Sequence, residues 1–314
     1  RVEILMIQHL LLTRIEKNFD DSQCARAAVI YNHGFPDSSI TPNPLSESEP
    51  SQQFSSRFPR KLCEHLILCV GGMAFVAFNA RGVPGSTSSQ PSCVEEPPPE
   101  FCDKTLTQDL EDLADVVKFV KAERFPSAKI FVCGFSTGAF LSLAYAARPD
   151  LHPPGGVDGC CALACVRDIP ASVSLDFSAD QRDAANEQGW CWKEFFPHGG
   201  QNNPQKWRLN RAYLQSYEAF PSAHDMGRAL KMPVLLLHGA QDVHVPFDDH
   251  AQGLLDDLVS TGAGAKLCVI PKGNHFLSAS AALNKGLAAI QSFIVEVLGD
   301  SPAKEAGSRP KAKA

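Results

Sequence analysis

The pentapeptide Gly134-Phe135-Ser136-Thr137-Gly138 lies between an apolar, β-rich run, Lys129 to Cys133, and a helical stretch, Ala139 to Ala147. Glycines on both sides of the serine let the backbone turn sharply from strand to helix without Cβ clashes, which lifts the Ser136 hydroxyl above the strand end. The same turn sets the Thr137 N–H at a helix N-terminus, where it can meet a developing oxyanion. A serine hydroxyl is a feeble nucleophile until a base takes its proton and an acid orients the base. Both are present downstream, each just past an apolar run. Val234 to Leu237 leads into His238-Gly239-Ala240-Gln241-Asp242-Val243-His244-Val245-Pro246, and Leu267 to Ile270 leads into Pro271-Lys272-Gly273-Asn274-His275-Phe276. Ser136, Asp242 and His275 are thus the candidate nucleophile, acid and base of a two-step acyl transfer on a small-molecule acyl substrate. That chemistry requires no metal and no organic cofactor.

These loops need a scaffold that brings strand ends to one edge. Short apolar runs followed by glycine and then a helical period recur along the chain, the alternation that builds an α/β fold with a mostly parallel central sheet flanked by helices. The spacing predicts strands at Ala27 to Tyr31, Ala74 to Phe78, Lys129 to Cys133, Cys160 to Val166, Val234 to Leu237 and Leu267 to Ile270. It predicts a helix over Thr105 to Glu123, opened by a Thr105/Gln108 capping box, and another from about Ala281 to Leu298. Asp37 to Arg60 and the Pro-rich Ser86 to Asp103 read as surface loops, and residues 300–314 as a disordered tail. Between Arg167 and Leu230 the alternation stops, and all three tryptophans gather there: Trp190, Trp192 and Trp207. So long an aromatic-rich excursion reads as a lid inserted at about 167–230 in one domain spanning 1–299, its aromatics mostly forming the lid's own core.

Composition sets the outer limits. The 314 residues carry 29 Lys+Arg against 35 Asp+Glu, a net charge of −6, which disfavours a nucleic-acid partner. With 44% hydrophobic and 20% charged residues the chain can bury a sizeable core. No uninterrupted apolar run approaches the roughly 18 residues of a membrane helix, so no membrane span is expected. Ile4 to Leu12 lacks the features of a signal peptide, and Arg1 at the start suggests a trimmed or processed chain. The eleven cysteines contain no C-x-x-C pair, and Cys133, Cys160, Cys161, Cys165 and Cys268 lie in or beside apolar runs. That pattern points to free thiols in a reducing, cytoplasmic setting, although Cys93 and Cys102 flank a loop that a disulfide could close.

In the order Ser136, Asp242, His275, with an elbow between strand and helix, the sequence resembles the α/β-hydrolase superfamily, in its serine-nucleophile branch. The resemblance runs from about Ala27 to Leu298. His33-Gly34-Phe35-Pro36-Asp37, after the first predicted strand, is similar to the family's oxyanion loop, which implies that the Phe35 N–H joins that of Thr137 in an oxyanion hole. Asn79-Ala80-Arg81-Gly82-Val83 resembles the family's Arg-Gly turn, but Pro84 interrupts the usual glycine spacing, and the segment before Ala27 looks short for the family's first two strands. His-Gly-Phe-Pro also resembles epoxide hydrolases, whose elbow carries aspartate where Ser136 stands. The resemblance leaves Asp168 as an alternative acid, with a solvated loop aspartate as its plainer reading. His33-Gly34 and His238-Gly239 can each also be read as ordinary strand-ending turns, and His238, Asp242, His244 and His250 lack the spacing of a metal site. The function implied is hydrolysis of carboxylic esters with a partly apolar group. Acyltransferase, thioesterase and peptidase activities use the same triad, and a non-catalytic ligand-binding protein on this fold is the reading from another class.

Overall fold

The structure, a computed structural model, describes residues 2–7, 11–19, 24–35, 39–41, 53–54, 56–83, 99–195 and 205–300. Its first half contains strands β1 (Val2–Ile7), β2 (Leu11–Lys17), β3 (Ala27–Asn32), β4 (Ile40–Thr41), β5 (Gln53–Phe54), β6 (Met73–Phe78) and β7 (Lys129–Phe135), with helices α1 (Arg57–Cys69), α2 (Pro99–Cys102) and α3 (Leu106–Phe119). The second half contains helices α4 (Thr137–Ala146), α5 (Ile169–Asp176), α6 (Ala179–Gln188), α7 (Arg211–Ser216), α8 (Ala223–Ala229), α9 (Phe247–Ser260) and α10 (Ser280–Leu298). Its strands are β8 (Gly159–Leu163), β9 (Trp190–Phe195), β10 (Gln205–Asn210), β11 (Val234–Gly239) and β12 (Ala265–Ile270).

Eight strands form one sheet in the order β1-β2-β6-β3-β7-β8-β11-β12. Every pairing from β6 onward is parallel, whereas β1–β2 and β2–β6 are antiparallel. Strands β3, β6, β8 and β11 are buried along their whole length, as strands covered by helices on both faces must be. Side chains alternate between two cores. Ile30, Val132 and Leu236 point to the layer holding α3 and α4, while Val29, Phe131 and Leu235 point to the layer holding α1 and α10. Helix α10 is long and apolar enough to cross a membrane by length and composition, and it buries Leu283, Leu287, Ile290 and Ile294 against the sheet.

Most predicted elements are present, with informative differences. The α3 capping box forms, Thr105 Oγ1 accepting from the Gln108 N–H at 3.2 Å and Gln108 Oε1 from the Thr105 N–H at 2.9 Å. From Val120 to Arg124 the helix widens into a π turn. The strand predicted through Val166 ends at Leu163, because Ala164 takes a positive φ of 50° while its N–H donates to Leu237 O. The N-terminal segment is long enough for two strands after all. The Asp37 to Arg60 stretch includes the two-residue pair β4–β5 and the start of α1, and Ser86 to Asp103 ends in the short α2. Residues 301–314 of the predicted tail lie outside the described residues, but Asp300 does not dangle: it accepts from the Arg26 guanidinium at 2.8 Å. The ten described cysteines are free thiols, Cys102 included; Cys93 lies outside the described residues.

Between β8 and β11 the chain leaves the sheet. It forms α5 and α6, the antiparallel pair β9–β10, and then α7 and α8. Its interior is aromatic: Phe177, Trp207, Tyr213 and Tyr217 are nearly fully buried, whereas Trp192 is half exposed.

Candidate active site

Strands β3, β7, β11 and β12 run parallel, so the loops after them emerge at one edge of the sheet, where ligands of open α/β sheets bind. After β7, Ser136 takes φ 55° and ψ −124°, a conformation that costs a non-glycine residue roughly 1–3 kcal/mol and persists only where its surroundings enforce it. The surroundings here are close. A Cβ on Gly134 would stand 2.5 Å from Ser142 Oγ and closer still to the Gly138 carbonyl; one on Gly138 would stand 2.5 Å from Asn32 O and closer to His33 O. Both glycines are therefore required by contact, which lets α4 press against β7 and the loop after β3.

That loop is anchored from several sides. His33 is buried, its Nδ1–H donating to Gly34 O at 2.9 Å while its Nε2 accepts the Ala80 N–H at 3.3 Å. Burial pulls the His33 pKa down to about 4, outweighing the bond to Gly34, so the ring is neutral in this tautomer. The Gly34 carbonyl and the Phe35 N–H belong to one planar peptide unit, so fixing the first aims the second. Asn79 holds the next part of the loop, accepting from the Ser39 and Ile40 N–H groups at 2.8 and 2.9 Å. The inserted segment completes the clamp: Tyr213 stacks on the Phe35 ring with centroids 4.3 Å apart. The Asn79-Ala80-Arg81-Gly82 turn thus positions the loop after β3, and Arg81 is itself held by Asp112, whose carboxylate accepts from the Arg81 Nε at 2.7 Å. Pro84 and Gly85 lie outside the described residues, as do Pro36 and Asp37.

The acid and base loops are fastened to each other. Ala240 N–H donates to Ile270 O at 2.9 Å and Gln241 N–H to Gly273 O at 2.8 Å. A Cβ on Gly239 would lie 2.6 Å from the Gly273 carbonyl carbon, so the glycine of His238-Gly239 is there for close approach of these two loops. Asp242 is buried, and its Oδ1 accepts the His244 and Val245 N–H groups at 2.9 Å each. Its Oδ2 lies 2.7 Å from His275 Nδ1. Burial alone would raise the Asp242 pKa, but the hydrogen bond and charge of His275, with the Val245 N–H, outweigh it and hold the carboxyl below its ordinary value. The acid is therefore ionised and accepts the Nδ1 proton, which leaves Nε2 of His275 as the basic nitrogen.

Ser136, Thr137, Phe35 and His275 line one cavity of about 200 Å³, closed by Phe135, Val166, Ile169, Leu175, Asp176, His244, Val245 and Phe276. Asp242 sits behind His275. No Ser136–His275 hydrogen bond is formed among the described residues, a spacing common before substrate binds. Two larger hollows, of about 380 and 540 Å³, contain none of Ser136, Asp242 or His275.

The other candidates are placed elsewhere. Asp168 caps α5, its Oδ1 facing the Ala171 N–H at 3.4 Å, and does not meet His275. His238 is buried and donates from Nε2 to Val245 O at 2.9 Å, and His250 Nδ1 accepts the Arg167 N–H at 3.2 Å. Among the described residues no three His, Cys, Asp or Glu side chains converge as metal ligands. Sequence reasoning missed Asp176 and Leu175, which come from the inserted segment with no motif to flag them. It also passed over His244 as a cavity residue, although its place two residues after Asp242 is a usable signal.

An eight-stranded, mostly parallel sheet with helices on both faces and a strand–serine–helix elbow defines an α/β-hydrolase fold. Residues 33–284 match the Alpha/beta hydrolase family, and the chain belongs to it. Solved structures agree on the fold at low identity. Est1E from Butyrivibrio proteoclasticus superposes with a TM-score of 0.62 at 18% identity, covering 95% of this chain and 99% of its own. Alpha/beta hydrolase domain-containing protein 10 from mouse gives 0.61 at 15%, covering 95% and 99%. The acylaminoacyl peptidase of Pyrococcus horikoshii gives 0.59 at 15%, covering 94% of this chain and 40% of its own. No curated protein matches the sequence.

Proposed function

We propose that this hydrolase is a serine esterase. The observation that carries the reading is the ionised Asp242 bonded to His275 at 2.7 Å, with Ser136 held at a strained φ in the same cavity. Ser136 Oγ attacks the ester carbonyl as His275 Nε2 takes its proton, and Asp242 stabilises the imidazolium that forms. The N–H groups of Phe35 and Thr137 receive the tetrahedral oxyanion; losing one such donor costs on the order of 10²–10³ in rate. His275 then protonates the departing alcohol. Water, activated by the same imidazole, attacks the acyl-enzyme and frees the acid.

Phenylalanine rings and aliphatic side chains make most of the cavity wall, which favours a carboxylic ester with a small, partly apolar group. Residues 167–230 act as the lid of a single hydrolase domain over 1–299: Ile169, Leu175 and Asp176 wall the cavity from above, and Tyr213 braces Phe35. The free thiols favour a reducing compartment. A fluorophosphonate probe tests the nucleophile. The wild-type chain should be labelled and Ser136→Ala should not; labelling of Ser136→Ala at the wild-type level rejects the assignment.

A further inference from the structure

One wall of the cavity carries a carboxylate. Asp176, the last residue of α5, lines the same space as Ser136 and His275. Its carboxylate is fixed: Oδ2 accepts the hydroxyl of the buried Tyr217 at 2.6 Å. Lys193 donates to the main-chain oxygen of Asp176, and its Nζ lies 4.5 Å from the centre of the Phe177 ring. Among the described residues no donor is hydrogen-bonded to Oδ1. Partial burial raises the carboxyl above its ordinary value, an effect that Lys193, the Tyr217 hydroxyl and His275 each offset in part, so the group is close enough to His275 to feel its charge. A latch between α5 and Tyr217 needs only a neutral acceptor. Asp176 is partly exposed, and with one oxygen that no described donor engages it gives the space beside Ser136 a carboxylate held in place by Tyr217.

We infer that Asp176 is a specificity-determining residue that makes the site select small esters bearing an ammonium group and reject those bearing a carboxylate. This rests on the esterase reading above and names the substrate class for it. A cavity of about 200 Å³ holds the equivalent of about seven water molecules, so the ammonium must lie within a few bonds of the ester carbonyl. The ammonium N–H would donate to Asp176 Oδ1 with the ester carbonyl at Ser136. The charge can enter with either half of the ester, the acyl group or the alcohol.

Two isosteric pairs separate these cases. In the alcohol pair, 2-(dimethylamino)ethyl acetate is compared with 3-methylbutyl acetate; in the acyl pair, ethyl 3-(dimethylamino)propanoate with ethyl 4-methylpentanoate, and monoethyl succinate supplies the anion. In at least one pair kcat/KM for the ammonium ester should exceed that of its neutral isostere by about ten- to hundredfold at neutral pH, with the succinate ester slowest. In Asp176→Asn, which keeps an acceptor for Tyr217, that ratio should fall to near one. The wild-type ratios alone already test the inference if the variant misfolds. Hydrolysis of the neutral esters with no ammonium preference in either pair would overturn it and leave the esterase reading standing, as would a preference that survives in Asp176→Asn. Failure of every ester, with no fluorophosphonate labelling of Ser136, would overturn both.

Discussion

Lowering the pH should loosen this protein through His33, and the size of the effect can be worked out. His33 is buried and neutral, with a folded pKa of about 4 against 6.5 for the free side chain. Because the folded value is depressed, the unfolded chain takes up a proton at pH values where the folded one does not. The stability this burial confers is fully present above pH 6.5 and is lost as pH falls from there through about 4. The full span of about 2.5 pK units corresponds to about 3 kcal/mol, of which about 2 kcal/mol is already gone at pH 5. The loss has a structural outlet. A proton on Nε2 would turn it toward the Ala80 N–H as donor against donor, and the ring would release the Gly34 carbonyl that aims Phe35.

The assay is urea unfolding followed by tryptophan fluorescence at pH 7.5, 6.5 and 5, on the wild type and on His33→Gln. The variant should be less stable at pH 7.5 by about 1–3 kcal/mol, since it breaks a buried hydrogen-bond pair. Its deficit should shrink by about 2 kcal/mol at pH 5, because glutamine has no proton to take up. A deficit that stays constant over this range would refute the claim that His33 is neutral and buried when folded.

Three further outcomes follow from the geometry. Gly138→Ala drives a Cβ into the Asn32 and His33 carbonyls and should cost about 1–3 kcal/mol in thermal unfolding, with activity lost more completely than fold, as circular dichroism beside turnover would show. Asp242→Asn can still accept the His244 and Val245 N–H groups but then turns an amide N–H toward His275 Nδ1, imposing the unproductive tautomer; kcat should fall by about 10³–10⁴. Asp168→Ala removes the α5 cap and should lower stability by about 1 kcal/mol while ester turnover persists, which distinguishes it from Asp242 as the acid.

How far the sequence foretells this site depends on how local each interaction is. The elbow is legible because its requirement is local: residues 134 and 138 must lack a Cβ, and the strand before and helix after are apolar runs of the right length. Asp242 and His275 are legible for the same reason, each just past a short apolar run of strand length, β11 buried throughout and β12 partly exposed at the sheet edge. The hairpin β1–β2 is less so. Lys17 is buried there and pairs at 2.9 Å with the partly exposed Glu3, and such a pair makes an edge strand look polar. Likewise, the role of His33 shows only once Ala80 and Gly34 are brought to its two ring nitrogens, and the grip on Phe35 only once Tyr213 is folded onto it. Asp176 is the extreme case. Nothing in Leu175-Asp176-Phe177 marks it, and its hydrogen-bonding partner is forty-one positions away, at Tyr217. The covalent chemistry of an α/β hydrolase lies at strand ends, where local pattern suffices. The substrate charge preference proposed above rests on Asp176 and Tyr217, which only the fold of the segment between β8 and β11 brings together, so that part of the reading has to be sought in the folded structure.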